Sequence, residues 1–436
     1  MGILFSSSFK QHHSVYSTPV TSKWSVSGGD NGVVKEYERQ EKRPSSWLVA
    51  SELPDGRIVA GSILGDVSSW PPAADGSATS VRSRRWEPAH SAVINCICVL
   101  PDGNRIASAS SDGTVIVRDT QNYGMIKKLE KHKGYKVHWL TLVPATNKRK
   151  KWWMACTSSD KTTSVWDTDT WELVGTCSGH QKAVYASEWI KTVDEAETYG
   201  MVPERQQPGS PQSQTDNKGR RVLLTGDTRG VVYWWSLPDC KIIHKADLHS
   251  TWVTAALCLP YSNRAVTVDA NGQMIIWDAT TMNRIMEPTH NCGRFTSLAL
   301  IDAENSLFIS SSWGKNIAIW DGTTGECLHV HWLSVPSSNV RVASVRRSGD
   351  HIEAHVIGGF LTIYPILKWK INLQRVKDSE RTSKRYITQS SESDVEWDES
   401  GAPHNSWVTR KLLPAAAVVG ITAGIAFAYY QKRRRA

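Results

Sequence analysis

One short segment that ends in Trp-Asp recurs along this chain, and its spacing limits the possible folds more than any other feature. The copies are TTSVWD at residues 162–167, QMIIWD at 273–278 and NIAIWD at 316–321. Trp277 and Trp320 are 43 residues apart. A period of about 40–45 residues indicates a repeated supersecondary unit whose copies pack against one another. The chain of 436 residues is therefore interpreted as a series of repeats first, although it could hold two or three unrelated domains.

Alignment on this segment gives eight candidate strands, at residues 33–37, 66–70, 114–119, 162–167, 231–235, 273–278, 316–321 and 360–365. Turn sequences lie between them and other apolar runs, including Pro-Asp-Gly at 54–56 and 101–103 and Asn-Gly at 271–272. Such turns favour tight hairpins, so each unit predicts a small antiparallel sheet. One small sheet cannot bury both of its faces, whereas a ring of such sheets can.

These residues resemble the WD40 repeat family over roughly residues 11–367. The resemblance implies an all-β fold, a seven- or eight-bladed WD40-type β-propeller, to which the sequence adds a C-terminal transmembrane helix. In this family a His, a Ser or Thr, an Asp and the strand Trp form a hydrogen-bonded tetrad in a regular blade. We expect such residues to be structural, because buried polar groups are normally hydrogen-bonded.

The tetrad-like residues of this chain are His90, Ser108, Asp112, His132, Asp160, Trp166, His180, His249, Trp277 and Trp320. Every tetrad is predicted to lack one member. Arg118 replaces the Trp of the third unit, and Cys156 takes the hydroxyl position of the fourth. Arg229, Asn271 and Gly314 occupy the expected Asp positions of three later units, the last of which offers Ser310 beside Trp320.

The sequence outside the repeats divides into segments of different composition. Residues 1–10 form an N-terminal segment, and residues 191–220 are a polar insertion that is predicted to be a disordered loop within the propeller. Residues 368–411, first basic and then acidic, are predicted to form a flexible stalk. Gly2 lies in a match to the N-myristoylation pattern, although a chain with its own membrane span needs no second anchor.

Residues 412–430, from Leu412 to Tyr430, carry no charge and are predicted to cross a membrane. A helix of this length measures about 28 Å, close to the roughly 30 Å of a hydrocarbon core. A basic tail of residues 431–436 follows and contains Lys432, Arg433, Arg434 and Arg435. This arrangement predicts a tail anchor that keeps the propeller facing the cytosol. The mitochondrial outer membrane is favoured, with the peroxisome and the endoplasmic reticulum as alternatives. The spacing of Gly420 and Gly424 also permits a homodimer through the span.

Function is predicted from the propeller and the anchor together. No catalytic constellation, cofactor motif or zinc spacing occurs, so the chain is predicted to be a non-enzymatic, membrane-tethered scaffold for other proteins. Tyr135, Trp252 and Arg294 are the candidate partner-binding residues, on the face with the family's His positions. The alternative is a membrane-bound regulator of a small GTPase in vesicle traffic, similar in layout to an exchange factor of the endoplasmic reticulum. Nucleic acid is not favoured, because the basic residues are scattered rather than arranged in one stripe.

Overall fold

A computed structural model of the chain describes residues 24–27, 35–36, 47–70, 84–145, 151–191, 221–289, 293–314, 316–332, 337–348, 351–360 and 367–375. These residues form β-strands and connecting turns, with a single 3-10 turn at Pro260–Ser262. No helix in these ranges has the length and hydropathy needed to cross a membrane. The membrane span, the basic tail, Gly2, the insertion from 192 to 220 and the stalk beyond Arg375 lie outside the described residues.

The strands fall into six four-stranded sheets and one larger sheet. The chain begins with β1 (Trp24–Ser27) and β2 (Lys35–Glu36). Blade 1 contains β3 (Trp47–Glu52), β4 (Ile58–Ser62), β5 (Val67–Trp70) and β6 (Arg84–Trp86). Blade 2 contains β7 (Ile94–Val99), β8 (Arg105–Ser110), β9 (Val115–Asp119) and β10 (Met125–Leu129). Blade 3 contains β11 (Val137–Pro144), β12 (Trp152–Ser158), β13 (Thr162–Asp167) and β14 (Leu173–Ser178).

The second half of the chain continues the same pattern. Blade 4 contains β15 (Val184–Ile190), β16 (Arg221–Asp227), β17 (Val231–Leu237) and β18 (Lys241–Asp247). Blade 5 contains β19 (Val253–Leu259), β20 (Arg264–Asp269), β21 (Met274–Asp278) and β22 (Arg284–Met286). Blade 6 contains β23 (Phe295–Asp302), β24 (Leu307–Ser312), β25 (Asn316–Asp321) and β26 (Cys327–Trp332). The last strands are β27 (Ser337–Ser348), β28 (His351–Phe360) and β29 (Leu367–Arg375).

Both ends of the described chain share the remaining sheet, which we call the terminal sheet. Its strand order is β1-β29-β28-β27, and β2 also pairs with β29. The first strand of each blade contacts the first strand of the next, and β27 contacts both β23 and β3. The six blades and the terminal sheet therefore close a ring, in which β3, β7, β11, β15, β19, β23 and β27 are the inner strands.

The structure corrects the predicted number of blades. Six of the eight candidate strands are third strands of regular four-stranded blades, so the expected seven or eight such blades are too many. Of the candidate at 33–37, only Lys35 and Glu36 form a strand, and they pair with β29 in the terminal sheet. The candidate at 360–365 begins at the last residue of β28 and otherwise lies outside the described residues.

The predicted boundary at residue 367 falls inside the fold. β29 runs from Leu367 to Arg375 and pairs along its length with β28, so the first residues of the predicted stalk belong to the terminal sheet. Leu367, Trp369, Ile371 and Leu373 alternate with polar residues here, which is the period of a strand with one buried face. The sequence analysis assigned this stretch to the flexible stalk because of its basic residues and did not identify the alternation.

The Asp of the recurrent Trp-Asp pair shapes the turn between the third and fourth strands of a blade. Oδ1 of Asp278 accepts hydrogen bonds from the backbone N–H groups of Thr280 (2.9 Å) and Thr281 (2.7 Å). Asp119, Asp167 and Asp321 each make the equivalent pair of bonds. The repeated Asp is therefore selected by turn chemistry, since its short side chain satisfies two backbone donors locally.

Neighbouring blades approach closely where the second strand of one blade meets the inner strand of the next. A Cβ on Gly226 of β16 would lie 2.4 Å from Val253 of β19, and one on Gly61 of β4 would lie 2.5 Å from Ile94 of β7. Buried tryptophans also occupy these interfaces, as where the rings of Trp234 in blade 4 and Trp277 in blade 5 lie 5.1 Å apart. Among the described residues seven cysteines are present, and none forms a disulfide.

Candidate functional site: the histidine face

One face of the ring carries the loops that lead from the outer strand of each blade to the inner strand of the next. His90, His132, His180 and His249 lie in four of these loops, and all four side chains are buried. The turns between the second and third strands lie on the same face, because consecutive strands run in opposite directions. We call this surface the histidine face.

Blade 4 contains a complete tetrad. Thr225 Oγ1 is shared by His180 Nε2 (2.7 Å) and by Trp235 Nε1, which donates to it at 2.7 Å. Nδ1 of His180 lies 2.9 Å from Oδ2 of Asp227. The acid is therefore Asp227, and the predicted loss of this position to Arg229 is wrong. The carboxylate comes from the last residue of β16, two positions before Arg229.

Blade 3 is also complete, by a different arrangement. His132 lies between Asp160 (2.6 Å) and Ser164 (2.7 Å), and Trp166 Nε1 donates to the same Ser164 hydroxyl at 2.8 Å. The prediction that Cys156 leaves this tetrad without a hydroxyl is therefore wrong. Ser164 of β13 is the direct cross-strand partner of Cys156 of β12. The tetrad hydroxyl therefore comes from the third strand of the blade instead of the second. A Ser two residues before the Trp was the signal available in the sequence.

Blades 5 and 6 keep parts of the arrangement. In blade 5, Thr267 Oγ1 lies 2.7 Å from both His249 Nε2 and Trp277 Nε1. Asp269, rather than the predicted position of Asn271, supplies the carboxylate, at 3.7 Å from His249 Nδ1. In blade 6, Trp320 Nε1 donates to Ser310 at 2.9 Å, and the loop residues 290–292 that precede this blade lie outside the described residues.

Blade 2 retains its histidine, hydroxyl and acid but has Arg118 at the Trp position, as predicted. His90 bonds Ser108 (2.9 Å), Asp112 (3.0 Å) and Thr114 (3.1 Å). The fully buried Arg118 donates to Ser108 at 2.8 Å and to the carbonyl of Pro88. Burial lowers the pKa of Arg118 to about 10, so the guanidinium is still charged at neutral pH. The buried guanidinium of Arg118 therefore replaces the indole N–H as the hydrogen-bond donor to Ser108.

The acids of the tetrads are held as carboxylates. Burial alone would raise the pKa of Asp160, but hydrogen bonds from His132 and Thr162 outweigh it and lower that pKa to about 2. The same balance lowers the pKa values of Asp112, Asp227 and Asp269. These carboxylates accept hydrogen bonds from a histidine or from turn N–H groups, so they stabilise the fold.

A second set of residues lines the mouth of the central channel on this face. Each inner strand of blades 1 to 6 has a β-bulge at its second residue, so that one extra side chain projects there. We call these the bulge residues: Leu48, Asn95, His138, Tyr185, Thr254 and Thr296. The sequence analysis did not find them, because a bulge adds one residue without a distinctive amino acid.

Some bulge residues connect neighbouring blades. Asn95 Nδ2 donates to the Val137 carbonyl of blade 3 at 2.7 Å. The His138 ring stacks on Tyr185 of blade 4, with centroids 4.2 Å apart, and Tyr185 lies 6.0 Å from Trp252 of blade 5. These contacts form a continuous series from blade 2 to blade 5, which fixes the rim on which exposed side chains stand.

All three predicted partner-binding residues are exposed on this face. Tyr135 is 55% exposed, and its loop packs on the Asp112–Gly113 turn. Trp252 is 37% exposed and rests on the aromatic series. The Arg294 side chain is exposed, and its backbone carbonyl accepts a hydrogen bond from Trp313 N–H at 2.9 Å. The three residues belong to different parts of the rim, so the structure places them on one face without joining them in one cluster.

The channel itself contains a cavity of about 430 Å³. Its polar lining includes Glu52, Thr141 and the ion pair of Glu188 with Lys191, whose charged atoms are 2.8 Å apart. The rest of the lining is mainly apolar, with Trp139 and Trp189 as the largest side chains. Within the described ranges no group of three or more His, Cys, Asp or Glu is arranged to hold a metal ion.

The shared hydroxyl contacts both the His and the Trp of a tetrad, so its removal should reduce the stability of the blade. Thr225→Val keeps the shape of the side chain but leaves the Trp235 N–H donor and the Nε2 atom of His180 without their shared hydrogen-bond partner in the core. We expect a loss of about 2–4 kcal/mol in the free energy of unfolding, measured by chemical denaturation. Thr163→Val is the matched control, because Thr163 is fully buried and its hydroxyl has no hydrogen-bond partner among the described residues. Equal losses in the two variants would contradict this role.

The stability of the rim should depend on pH through His138. Burial, and to a smaller extent Lys136, lower the pKa of His138 from 6.5 to about 4. Because the folded state resists protonation, the stabilisation present above pH 6.5 is lost as the pH falls toward 4. Between pH 7 and pH 5 we expect a loss of about 2 kcal/mol from this group. Unfolding curves of His138→Gln should show a decrease smaller by that amount, and an unchanged decrease would contradict the assignment.

Comparison with known proteins agrees with the repeat architecture. Residues 82–119, which include β6 to β9, match the family model described as WD domain, G-beta repeat. An uncharacterized WD repeat-containing protein of Schizosaccharomyces pombe is 23% identical over 279 residues, which are 52% of this chain and 52% of that protein. The chain thus spans about half the length of this curated relative.

A second relative matches a shorter stretch. A putative BTB/POZ domain and WD-repeat protein of Acanthamoeba polyphaga mimivirus is 32% identical over 82 residues, covering 18% of this chain and 17% of that protein. The matched repeat, the WD-repeat relatives and the ring of four-stranded blades with His–hydroxyl–Trp tetrads agree with one another: the chain contains a WD40 repeat, is similar to WD-repeat proteins and folds as a β-propeller.

Proposed function

We propose that this protein is a non-enzymatic scaffold that binds other proteins through its histidine face. The observation that carries the proposal is the exposure of Tyr135, Trp252 and Arg294 on a rim that internal hydrogen bonds hold rigid. Aromatic and arginine side chains dominate the energetics of protein interfaces, and a rigid support reduces the entropy lost on binding. A WD40 propeller is a suitable platform for such contacts.

The bonding of the histidines supports a structural rather than a catalytic face. In His90, His132 and His180 both ring nitrogens lie within hydrogen-bond distance of side chains in the same blade. A general base needs a ring nitrogen that can reach a substrate. These rings are buried and occupied, so they stabilise the loops that present the exposed residues.

We also propose that the scaffold is tethered to a membrane by residues 412–430, with the mitochondrial outer membrane as the favoured location. The uncharged stretch and its basic end, Lys432 to Arg435, support this proposal. A tethered scaffold would raise the local concentration of its partners at that surface. Accelerated nucleotide release from a small GTPase by the purified propeller would replace the scaffold with the exchange-factor alternative.

The histidine face is tested by paired surface variants. Tyr135→Ala, Trp252→Ala and Arg294→Ala together should reduce the yield of co-purified partners by at least about tenfold, because exposed anchors contribute most of the binding energy. Quantitative affinity purification with mass spectrometry provides the measurement. The control combines Met125→Ala, Leu173→Ala and Ile285→Ala, which are similarly exposed at the start of outer strands near the opposite face. Partners that are lost equally in both variants would contradict the assignment.

The membrane anchor is tested separately from the propeller. A fluorescent protein fused to residues 400–436 should move to one organelle, because the uncharged stretch is long enough to cross a bilayer. The same fusion with Lys432, Arg433, Arg434 and Arg435 changed to Ser should change its organelle, since the basic end is the proposed address. Imaging with organelle markers reports both results. A diffuse signal from the unmodified fusion would rule the anchor out.

A further inference from the structure

The histidine face is divided into two chemically different halves. Four segments on blades 2 to 4 lie side by side: the loops at 130–136 and 179–183 and the turns at 158–161 and 227–230. Their exposed cations, which we call the basic patch, are Lys131, Lys133, Lys136, Lys161, Lys182 and Arg229. Across the rest of the rim, Leu248, Trp252 and Trp313 are 37–48% exposed, and we call them the apolar patch.

The four segments are held together by direct contacts. His132 bonds Asp160, and the N–H of Ser159 donates to the Lys136 carbonyl at 2.9 Å, which joins the first loop to the turn of blade 3. His180 bonds Asp227, and the N–H of Thr228 donates to the Ala183 carbonyl at 2.9 Å, which joins the second loop to the turn of blade 4. The stacked rings of His138 and Tyr185 connect the two pairs. The basic patch is therefore one surface.

The carboxylates of these segments are already engaged. Glu130 pairs with Lys128 of β10 at 2.9 Å, while Asp160 and Asp227 bond their histidines. Six cations stand against these three carboxylates, so three positive charges remain in excess. Within the described ranges, no carboxylate oxygen lies within 4 Å of any cation of the basic patch. These ammonium and guanidinium groups are available to a partner.

We infer that the histidine face binds a carboxylate-rich protein segment that also carries bulky apolar side chains. The glutamates or aspartates would lie on the basic patch, and the apolar side chains on Trp252, Trp313 and Leu248. This inference rests on the proposed function and names the chemistry of its partner. Charge complementarity selects the partner and speeds its association, while desolvated aromatic contacts supply most of the affinity.

A protein segment fits this surface better than a nucleic acid does. A nucleic acid presents a phosphate at every nucleotide and requires cations along its whole path. In the described part of the face, the half bearing Trp252 and Trp313 has Arg294 as an exposed cation, and the exposed carboxylate of Glu287 is bonded to Gln273 and paired with Arg284. This half therefore lacks the run of cations that a nucleic acid needs. A segment with an acidic run followed by apolar residues matches both halves.

The test uses a fluorescein-labelled synthetic peptide in which a run of glutamates is followed by Leu-Trp-Leu, with fluorescence anisotropy on the purified full-length protein as the readout. This peptide should bind, and its affinity should fall with added salt, because exposed charge pairs are screened. Matched peptides replace the glutamates with glutamines or Leu-Trp-Leu with serines, and both should bind at least about tenfold more weakly.

Charge reversal locates the binding site. Lys133→Glu with Lys136→Glu should weaken binding of the glutamate peptide by at least about tenfold. Lys127→Glu with Lys241→Glu is the control and should change it by less than about twofold, since both lysines are exposed but lie on outer strands away from the basic patch. Equal binding of the glutamine peptide, or equal effects of the two double variants, would overturn the inference.

Two further probes separate other sources of negative charge. Tighter binding of single-stranded DNA, or of phosphatidylserine vesicles, with the same loss in Lys133→Glu/Lys136→Glu, would overturn the inference in favour of that ligand. The double variant also enters the partner-capture experiment. Partners that depend on Tyr135 and Trp252 but tolerate charge reversal would leave the proposed function standing and reject the acidic partner. Loss of no partner in either variant would reject both.

Discussion

The ring depends on one buried hydroxyl that accepts the N–H of a tryptophan and contacts the ring of a histidine. In blade 4 this atom is Thr225 Oγ1, in blade 5 it is Thr267 Oγ1, and in blade 3 it is Ser164 Oγ. The bond ties the loop that enters a blade to its second or third strand. Because a buried polar group without a partner is costly, the hydroxyl fixes the loop and the blade together.

Blade 2 shows that the tryptophan of this arrangement can be replaced by another hydrogen-bond donor. Arg118 reaches the same hydroxyl as the missing tryptophan and adds a bond to the Pro88 carbonyl. The substitution exchanges a large apolar ring for a charged group in a fully buried place. Burying a charge without a carboxylate partner is normally unfavourable, so its neutral hydrogen-bond acceptors must offset much of the desolvation. Blade 2 nevertheless has the same four-strand order as the other blades.

The sequence predicted the repeat and the strand bearing the Trp, because these follow from local pattern. The prediction of the blade 3 tetrad failed, because the hydroxyl comes from the strand next to the expected one. Ser164 replaces the hydroxyl expected at Cys156, and a count along the chain cannot see that these positions are directly opposed. The sequence analysis also failed at β29, where the charge of Lys368 and Lys370 obscured the alternation of Trp369 and Ile371. The pairing of strands in the folded chain decided both cases: β12 with β13 in the first, and β29 with β28, β1 and β2 in the second.

The terminal sheet has a mechanical consequence. β29 is hydrogen-bonded to β28 on one side and to β1 and β2 on the other, so the strand from which the chain continues past Arg375 lies inside a sheet rather than at its edge. Tension applied along β29 from that end would load two antiparallel ladders at once, in shear. Many bonds would then have to break together, whereas an edge strand can peel away one bond at a time. The ring therefore resists traction at the strand from which the polypeptide continues.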